Sequence, residues 1–361
     1  MGIVKLMAVG DISLKTRGDK HPFDNIKQVF ENKDILFGNL ETVLSTQGGK
    51  AKKAVLLYSP SEKVSYLKDA DFDVLNIANN HILDMGIEGF KNTISTLSEN
   101  NLVFIGASNS EYGPDHIIRQ SNGINFGFIG YTAGYRRFPQ RNIPVNRAKE
   151  DKIFADIASL KPECDFIVVS LHWGIENVPY PSPGQIGLAH KLVERGATLI
   201  LGHHPHVIQG IEEYKNGLIA YSLGNFQFDP EVSQSKTRNS IILSVSFNKD
   251  KFIDYSIIPI MIDEDFLPRT IQGKEKDKLL HFVTEISRPI SNGSITNTWW
   301  FEQIANEYLS GNLRSYALRI KKYGIKPLLE CALWLITPFC IRCYMAIIRT
   351  NWRKLFGQVQ R

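Results

Sequence analysis

Short runs of β-branched and aromatic residues recur along the chain with amphipathic stretches between them. The runs Ile3–Val9, Ile35–Phe37, Val74–Ala78, Val103–Ile105, Asn125–Tyr131, Phe166–Leu171 and Thr198–Leu201 have the length and apolar continuity of buried strands. Between them Ser61–Ala70, Ile87–Glu99 and Gln185–Arg195 carry apolar residues at helical spacing, the last ended by Gly196. This alternation predicts a layered α/β fold. Leu218–Leu223, Ser240–Phe247 and Phe252–Ile262 then follow one another without helices, which predicts antiparallel strands completing the sheets. After Asp263 the pattern turns helical: Lys274–Ser287, Trp299–Leu309 and Leu313–Tyr323 are expected helices, with Ser291–Ser294 a break. The expected division is an α/β domain over 1–263 and a helical C-terminal extension over 264–361.

Composition narrows the class without changing it. With 361 residues, 43% of them hydrophobic and 22% charged, the chain can bury a large core, and disorder is not expected. Its four cysteines, three of them near the C-terminus, give no disulfide framework and are expected to be reduced thiols. The net charge of +5 is unevenly spread. From Leu313 onward there are ten Lys or Arg and one acid, Glu330, so the preceding body is net acidic and a nucleic-acid partner is not expected. Ile3–Val9 is too short for a signal-peptide core and has no basic region before it, so the expected location is cytoplasmic.

Candidate chemistry lies where the apolar runs end. Five of them finish in Gly10-Asp11, Asn39-Leu40-Glu41, Asn79-Asn80-His81, His172-Trp173-Gly174 and His203-His204-Pro205-His206. Ligands of open α/β sheets bind outside the carboxyl ends of strands, so these groups are expected to converge. Carboxylates, amide carbonyls and imidazoles without nearby thiols suit Mn, Fe or Zn. His204 and His206 reach one centre only if their loop bends, as Pro205 and Gly202 permit. Two ions about 3.5–4 Å apart would clamp an oxygen and acidify a water between them. Taken singly, each group has a plainer reading: Asp11 starts a turn, the asparagines are loop residues, His81 is a satisfied core imidazole and Glu176 is a surface charge. Three histidines within four residues, in a chain with nine, are harder to explain that way.

At these residues the sequence resembles the CapA-type family associated with capsule and poly-γ-glutamate synthesis. GDISL at Gly10–Leu14, GNLE at Gly38–Glu41, NIANNHILDMG at Asn76–Gly86, SLHWGIE at Ser170–Glu176, GHHPHVIQGIE at Gly202–Glu212 and YSLGNFQFD at Tyr221–Asp229 appear in family order. The resemblance implies a four-layer α/β/β/α sandwich of the metallo-dependent phosphatase type. It also implies a centre for one or two divalent ions held by Asp11, Glu41, Asn80, His172, His204 and His206. In it Glu41 bridges, His172 and His204 serve one metal, and His206 serves the other. His81, with Asp11 and His206, is placed at the reacting centre, His81 as the acid for the leaving group. Asn39, Asn79, Asp84, Glu176, His203 and Asn225 are placed around these as orienting or substrate-facing groups. Two departures from the broader phosphoesterase pattern stand out: Asp11-Ile12-Ser13 lacks the histidine of Asp-x-His, and Gly-Asn-Leu-Glu stands where a bridging Asp is usual.

The expected function is a metal-dependent hydrolase acting on a phosphoester, or on an amide or ester bond of a surface polymer, alongside capsule synthesis components. The alternative is a non-catalytic subunit of a polymer synthesis or export complex. The tail adds an expectation of its own. Pro327–Ile348 is strongly apolar, but its uncharged core is broken at Pro338 and is too short to span a bilayer, while Lys and Arg flank it. Peripheral contact with the inner membrane face is expected, against the plainer reading of a helix packed back as core.

Overall fold

The computed structural model describes residues 2–18, 20–107, 112–133, 144–228 and 235–356; Asp229, which ends the YSLGNFQFD stretch, lies outside them. The eight-stranded first sheet runs, in spatial order, Pro268–Thr270, Phe252–Ile262, Asn239–Phe247, Val4–Ile12, Ile35–Leu40, Val74–Asn76 and Phe104–Ile105, with Asn225–Gln227 paired beside Val4–Ile12. The second sheet runs Ile211–Tyr214, Gly217–Ala220, Leu199–His203, Phe166–His172, Ile124–Thr132 and Ile117–Ser121. Each has a parallel centre with antiparallel strands at one or both edges.

Period-two alternation explains why the sheets stack. Leu6 and Ala8 of the first strand, with Ile35 and Phe37 of its neighbour, face Phe126, Phe128, Val168 and Leu201 of the second sheet. The Phe37 and Phe128 rings stack with centroids 6.1 Å apart. The intervening residues Met7, Val9 and Leu36 face outward, onto Leu67, Phe90 and Leu97 of helices Val64–Asp69 and Gly86–Glu99. On the far side Ile129, Val169 and Ile200 meet Ile153 and Ile157 of helix Glu150–Leu160 and Leu192 of helix Pro183–Arg195. Both sheet faces are therefore buried, which is why the strands read as continuous apolar runs. The result is the expected α/β/β/α sandwich.

Local chemistry sets the helix ends. Ser182 caps helix Pro183–Arg195 through a reciprocal box with Gln185, Pro183 occupies the first turn, and Gly196 ends it at φ +124°. Beyond the sheets, helix Gly273–Ser291 buries Leu279, Val283 and Ile286 against the inter-sheet core. Trp299–Leu309 and Leu313–Tyr323, expected as two helices, form one, Asn297–Tyr323, running through Gly311. Two more, Lys326–Leu335 and Pro338–Phe356, fold back so that Cys340, Cys343 and Ala346 join Trp300, Phe301 and Ile304 on the outer face of the second sheet.

Candidate metal centre

The strand ends converge from both sheets. Asp11 sits at the carboxyl end of the first strand, Asn39 and Glu41 at and just past the end of its neighbour, and Asn79, Asn80 and His81 follow Val74–Asn76. The second sheet contributes His172 and His203 from adjacent strand ends, paired in register, with His204 and His206 in the loop beyond. Both loop histidines have left-handed backbones, φ +95° and +60°, which re-aims their side chains around Pro205.

One short segment holds the two sheets in this relation. At Gly224 the chain crosses between them: the Asp11 amide donates to the Gly224 carbonyl at 3.0 Å and the Leu223 amide donates to the Gly202 carbonyl at 3.2 Å. A Cβ at Gly10 would lie 1.9 Å from the Gly224 oxygen, and one at Gly202 would lie 1.9 Å from the Tyr221 oxygen. Glycine is required at both places by close backbone approach.

Ligand-capable atoms fall into two groups sharing Glu41: Asp11, Glu41 and His172, and Glu41, His204 and His206, with the atoms of each group within 4.8 Å of one another. The resemblance pairs His172 with His204 instead; their ring centroids are 4.7 Å apart, so His204 stands between the groups. His206 Nδ1 lies 3.4 Å from Asp11 Oδ2 and 4.0 Å from Glu41 Oε2, and His172 Nε2 lies 3.6 Å from Glu41 Oε1. Asn80 Oδ1 lies 2.8 Å from His172 Nε2.

A surrounding net orients these groups. Asn39 Nδ2 donates to Asp11 Oδ1 at 2.8 Å and approaches His172 Nδ1 at 3.3 Å, while Asn76 donates to Asn39 Oδ1 at 2.8 Å. Asn225 Oδ1 lies 2.9 Å from His206 Nδ1. Asn79 donates to the Leu40 carbonyl and accepts from the His81 amide, pinning one strand-end loop to the next. His81 Nδ1 lies 2.5 Å from Asp84 Oδ2, and Asp84 is itself held by Lys53 Nζ at 2.6 Å and the Leu57 amide at 2.7 Å. His81 Nε2 therefore faces Glu41, 3.9 Å away. His203 is fully buried with Nδ1 3.5 Å from Asp11 Oδ1. Glu176 is exposed at the rim, near enough for its charge to favour protonated His204 and His206.

Sequence reasoning missed two members of this net. Asn76 lies inside a quoted motif but reads as a strand residue, and Lys53 is a loop lysine with no local signal.

The electrostatics fit a cation. Both Glu41 oxygens are buried and lack a hydrogen-bond partner among the described residues, as do both ring nitrogens of His203 and Nδ1 of His204. Burial, then the adjacent Asp11 carboxylate, pushes Glu41 well above the usual carboxylate range. Asp11 goes the other way: burial would raise it, but His203 and His206 hold it well below. Burial opposes charge on His206, yet Glu41 and Asp11 push it up to about 10. Burial pulls His204 down to about 4 and, with cationic neighbours, pulls His172 well below its ordinary value. His172 and His204 are thereby held neutral, as imidazole ligands must be, while Glu41 and His206 hold protons between them that a divalent ion would displace on binding. The donor set of oxygen and imidazole nitrogen matches Mn, Fe or Zn, so the residues present fit such a group.

Comparison with known proteins gives the family and the fold. Residues 5–230 match the model of the family described as bacterial capsule synthesis protein PGA_cap. The chain is 33% identical over 271 residues to the PGA biosynthesis protein CapA of Bacillus subtilis, covering 71% of each. It is 31% identical over 280 residues to the capsule biosynthesis protein CapA of Bacillus anthracis, covering 74% of this chain and 68% of that one. Among solved structures it resembles a phosphatase of Mycoplasma pneumoniae, with a TM-score of 0.50 at 15% identity over 72% of this chain and 94% of that one. A putative 5'-nucleotidase of Staphylococcus aureus gives 0.51 at 14% identity, over 79% and 58%. The structural likenesses concern the fold alone.

Proposed function

The chain belongs to the PGA_cap family of bacterial capsule synthesis proteins, and on that premise we propose that it is a metal-dependent hydrolase serving surface-polymer synthesis. The bond cleaved is a phosphoester, or an amide or ester of the polymer. One observation carries the reading: a fully buried carboxylate, Glu41, with both oxygens unsatisfied among the described residues, lies between two clusters of imidazoles and carboxylate. A binding surface gains nothing from such a group, whereas a cation site requires it.

Asp11, Glu41, Asn80, His172, His204 and His206 would hold the ion or ions. When bound, a divalent cation there supplies Lewis acidity and acidifies water. The protein's own groups do the rest. Asp84 fixes the His81 ring through Nδ1 and favours the imidazolium against the burial and the Lys53 charge that lower it, so that Nε2 would first take up a proton and then pass it to the leaving group. Asn39 ties Asp11 to His172, and Asn225 holds the His206 ring. Glu176, at the rim, faces incoming substrate.

The second reading, a non-catalytic subunit of a polymer synthesis complex, is favoured by Ser13. Where the broader phosphoesterase pattern has a histidine, this buried serine offers no ring nitrogen. Elemental analysis of protein expressed with ample metal, with bis-p-nitrophenyl phosphate hydrolysis before and after chelation, separates the two. Bound transition metal and chelator-sensitive hydrolysis are expected; protein without metal or hydrolysis would leave the subunit reading standing.

A further inference from the structure

We propose that the outward faces of the two C-terminal helices form a docking surface for an anionic lipid bilayer, on which the protein lies without spanning it. The inner face of helix Pro338–Phe356 is spent on the core, through Cys340, Cys343 and Ala346. Its outer face carries Ile341, Met345, Ile348, Trp352 and Leu355, at steps of four, three, four and three residues, so they form one stripe along the helix. Ile348 is 65% exposed, Trp352 62% and Leu355 68%. The preceding helix, Lys326–Leu335, also exposes Leu329 and Leu333, and Ile336 follows at 69% exposed. An apolar surface of this extent is not left bare on a monomeric soluble protein.

Charge identifies what covers it. Lys321, Lys322 and Lys326 stand at one end of the stripe and Arg349, Arg353 and Lys354 at the other; Glu330, the only acid beyond Leu313, is taken by Arg319 at 2.7 Å, and Glu302 is shared by Arg353 at 3.0 Å and Arg349 at 3.9 Å, one carboxylate for two guanidinium groups, which leaves the border net basic. A second copy would bring like charges together, whereas an anionic leaflet complements them while its acyl region takes the stripe. Among the described residues no single helix is long and apolar enough to cross a membrane; the two C-terminal helices reach that length and apolarity only as a pair bent by 60°, and the burial of Cys340, Cys343 and Ala346 in the core ties the second of them to the protein along one face. They are therefore suited to lie in the interface.

The basic end of this surface is tied to the loop that supports the candidate centre. Tyr323, which ends the helix just before it, donates a hydrogen bond to the Lys53 carbonyl at 3.0 Å, and Lys53 Nζ anchors Asp84. Lys50 and Lys52, both exposed, extend the basic border along that loop. Docking would set the mouth of the site beside the lipid surface, whatever reaction the site performs.

The test uses the full chain and sedimentation with phosphatidylcholine vesicles, with and without phosphatidylglycerol. Two exposed-surface variants accompany it, Lys321→Glu/Lys322→Glu/Lys326→Glu and Leu329→Glu/Leu333→Glu/Ile336→Glu, with light scattering to report oligomeric state. Binding to the phosphatidylglycerol vesicles alone is expected, weakening about fivefold or more for each basic residue removed. The apolar variant is expected to bind at least roughly tenfold more weakly. Failure of the parent chain to sediment with either vesicle overturns the proposal. So does binding that only the lysine variant loses, which marks a purely electrostatic surface for anionic polymer. A dimer that the apolar variant dissolves would assign the stripe to a second copy instead.

Discussion

Replacing Glu41 with glutamine should make the metal-free protein more stable and the metal-loaded protein less stable. Both carboxylate oxygens are buried without hydrogen-bond partners among the described residues, and Asp11 adds a like charge beside them. A buried, unsatisfied polar group costs about 1–3 kcal/mol, more when charged. An uncharged amide of the same shape, able to donate as well as accept, removes most of that cost. The expected gain is about 1–3 kcal/mol, or roughly 1–4 °C in Tm for a chain of this size. In metal the order reverses, because Glu41 belongs to both ligand groups. At a hundredfold excess over Kd, an ion binding only the folded form adds about 2.7 kcal/mol to the parent chain and much less to the variant. Differential scanning calorimetry in chelator and in excess Mn or Zn reads both halves. A variant that melts below the parent chain in chelator, or a parent chain whose Tm ignores metal, would refute the reasoning.

His81→Ala should lower turnover about 10²–10⁴-fold while metal content, read by elemental analysis, stays near that of the parent chain; equal loss of both would make His81 a ligand. Gly202→Ala should cost about 3 kcal/mol or more in urea unfolding, since its Cβ would meet the Tyr221 oxygen at 1.9 Å, and a change below 1 kcal/mol would show the crossing to be soft. Cys164 and Cys343 should resist iodoacetamide at neutral pH, because burial first, then acidic neighbours for one and Cys340 for the other, push their thiols up to about 11 and about 12. Mass-spectrometric labelling as fast as a free peptide cysteine would contradict that.

The strands that carry the site were legible because both of their faces are buried, so continuous apolar runs ending in polar residues mark the carboxyl edges of the sheets. Which run belongs to which sheet was not, since Phe37 and Phe128 differ in no local property and acquire opposite sheets only on stacking. Strand Ile117–Ser121 escaped notice because it is an exposed edge with a mixed pattern. Helix Asn297–Tyr323 runs through Gly311, whose cost of about 1 kcal/mol in a helix is offset by burial of Trp300, Ile304 and Tyr316 on either side. In the site, the bend needed to bring His204 and His206 together was legible from Pro205. The left-handed backbone that accomplishes it, and the part taken by Lys53, arise from tertiary packing and leave no trace in spacing.

The crossing at Tyr221–Asn225 bears on which ions such a site accepts. Asp11 belongs to one sheet and His204 and His206 to the loop of the other, and the distance between them is gauged by backbone that touches Gly10 on one side and Gly202 on the other. A spacer of this kind behaves like a shim. Changes in its thickness move the two half-sites apart together, altering every cross-sheet ligand distance in the same sense. In the proposed centre, selectivity between a smaller ion such as Zn and a larger one such as Mn would then be tuned from a segment that contributes only Asn225 to the groups around it.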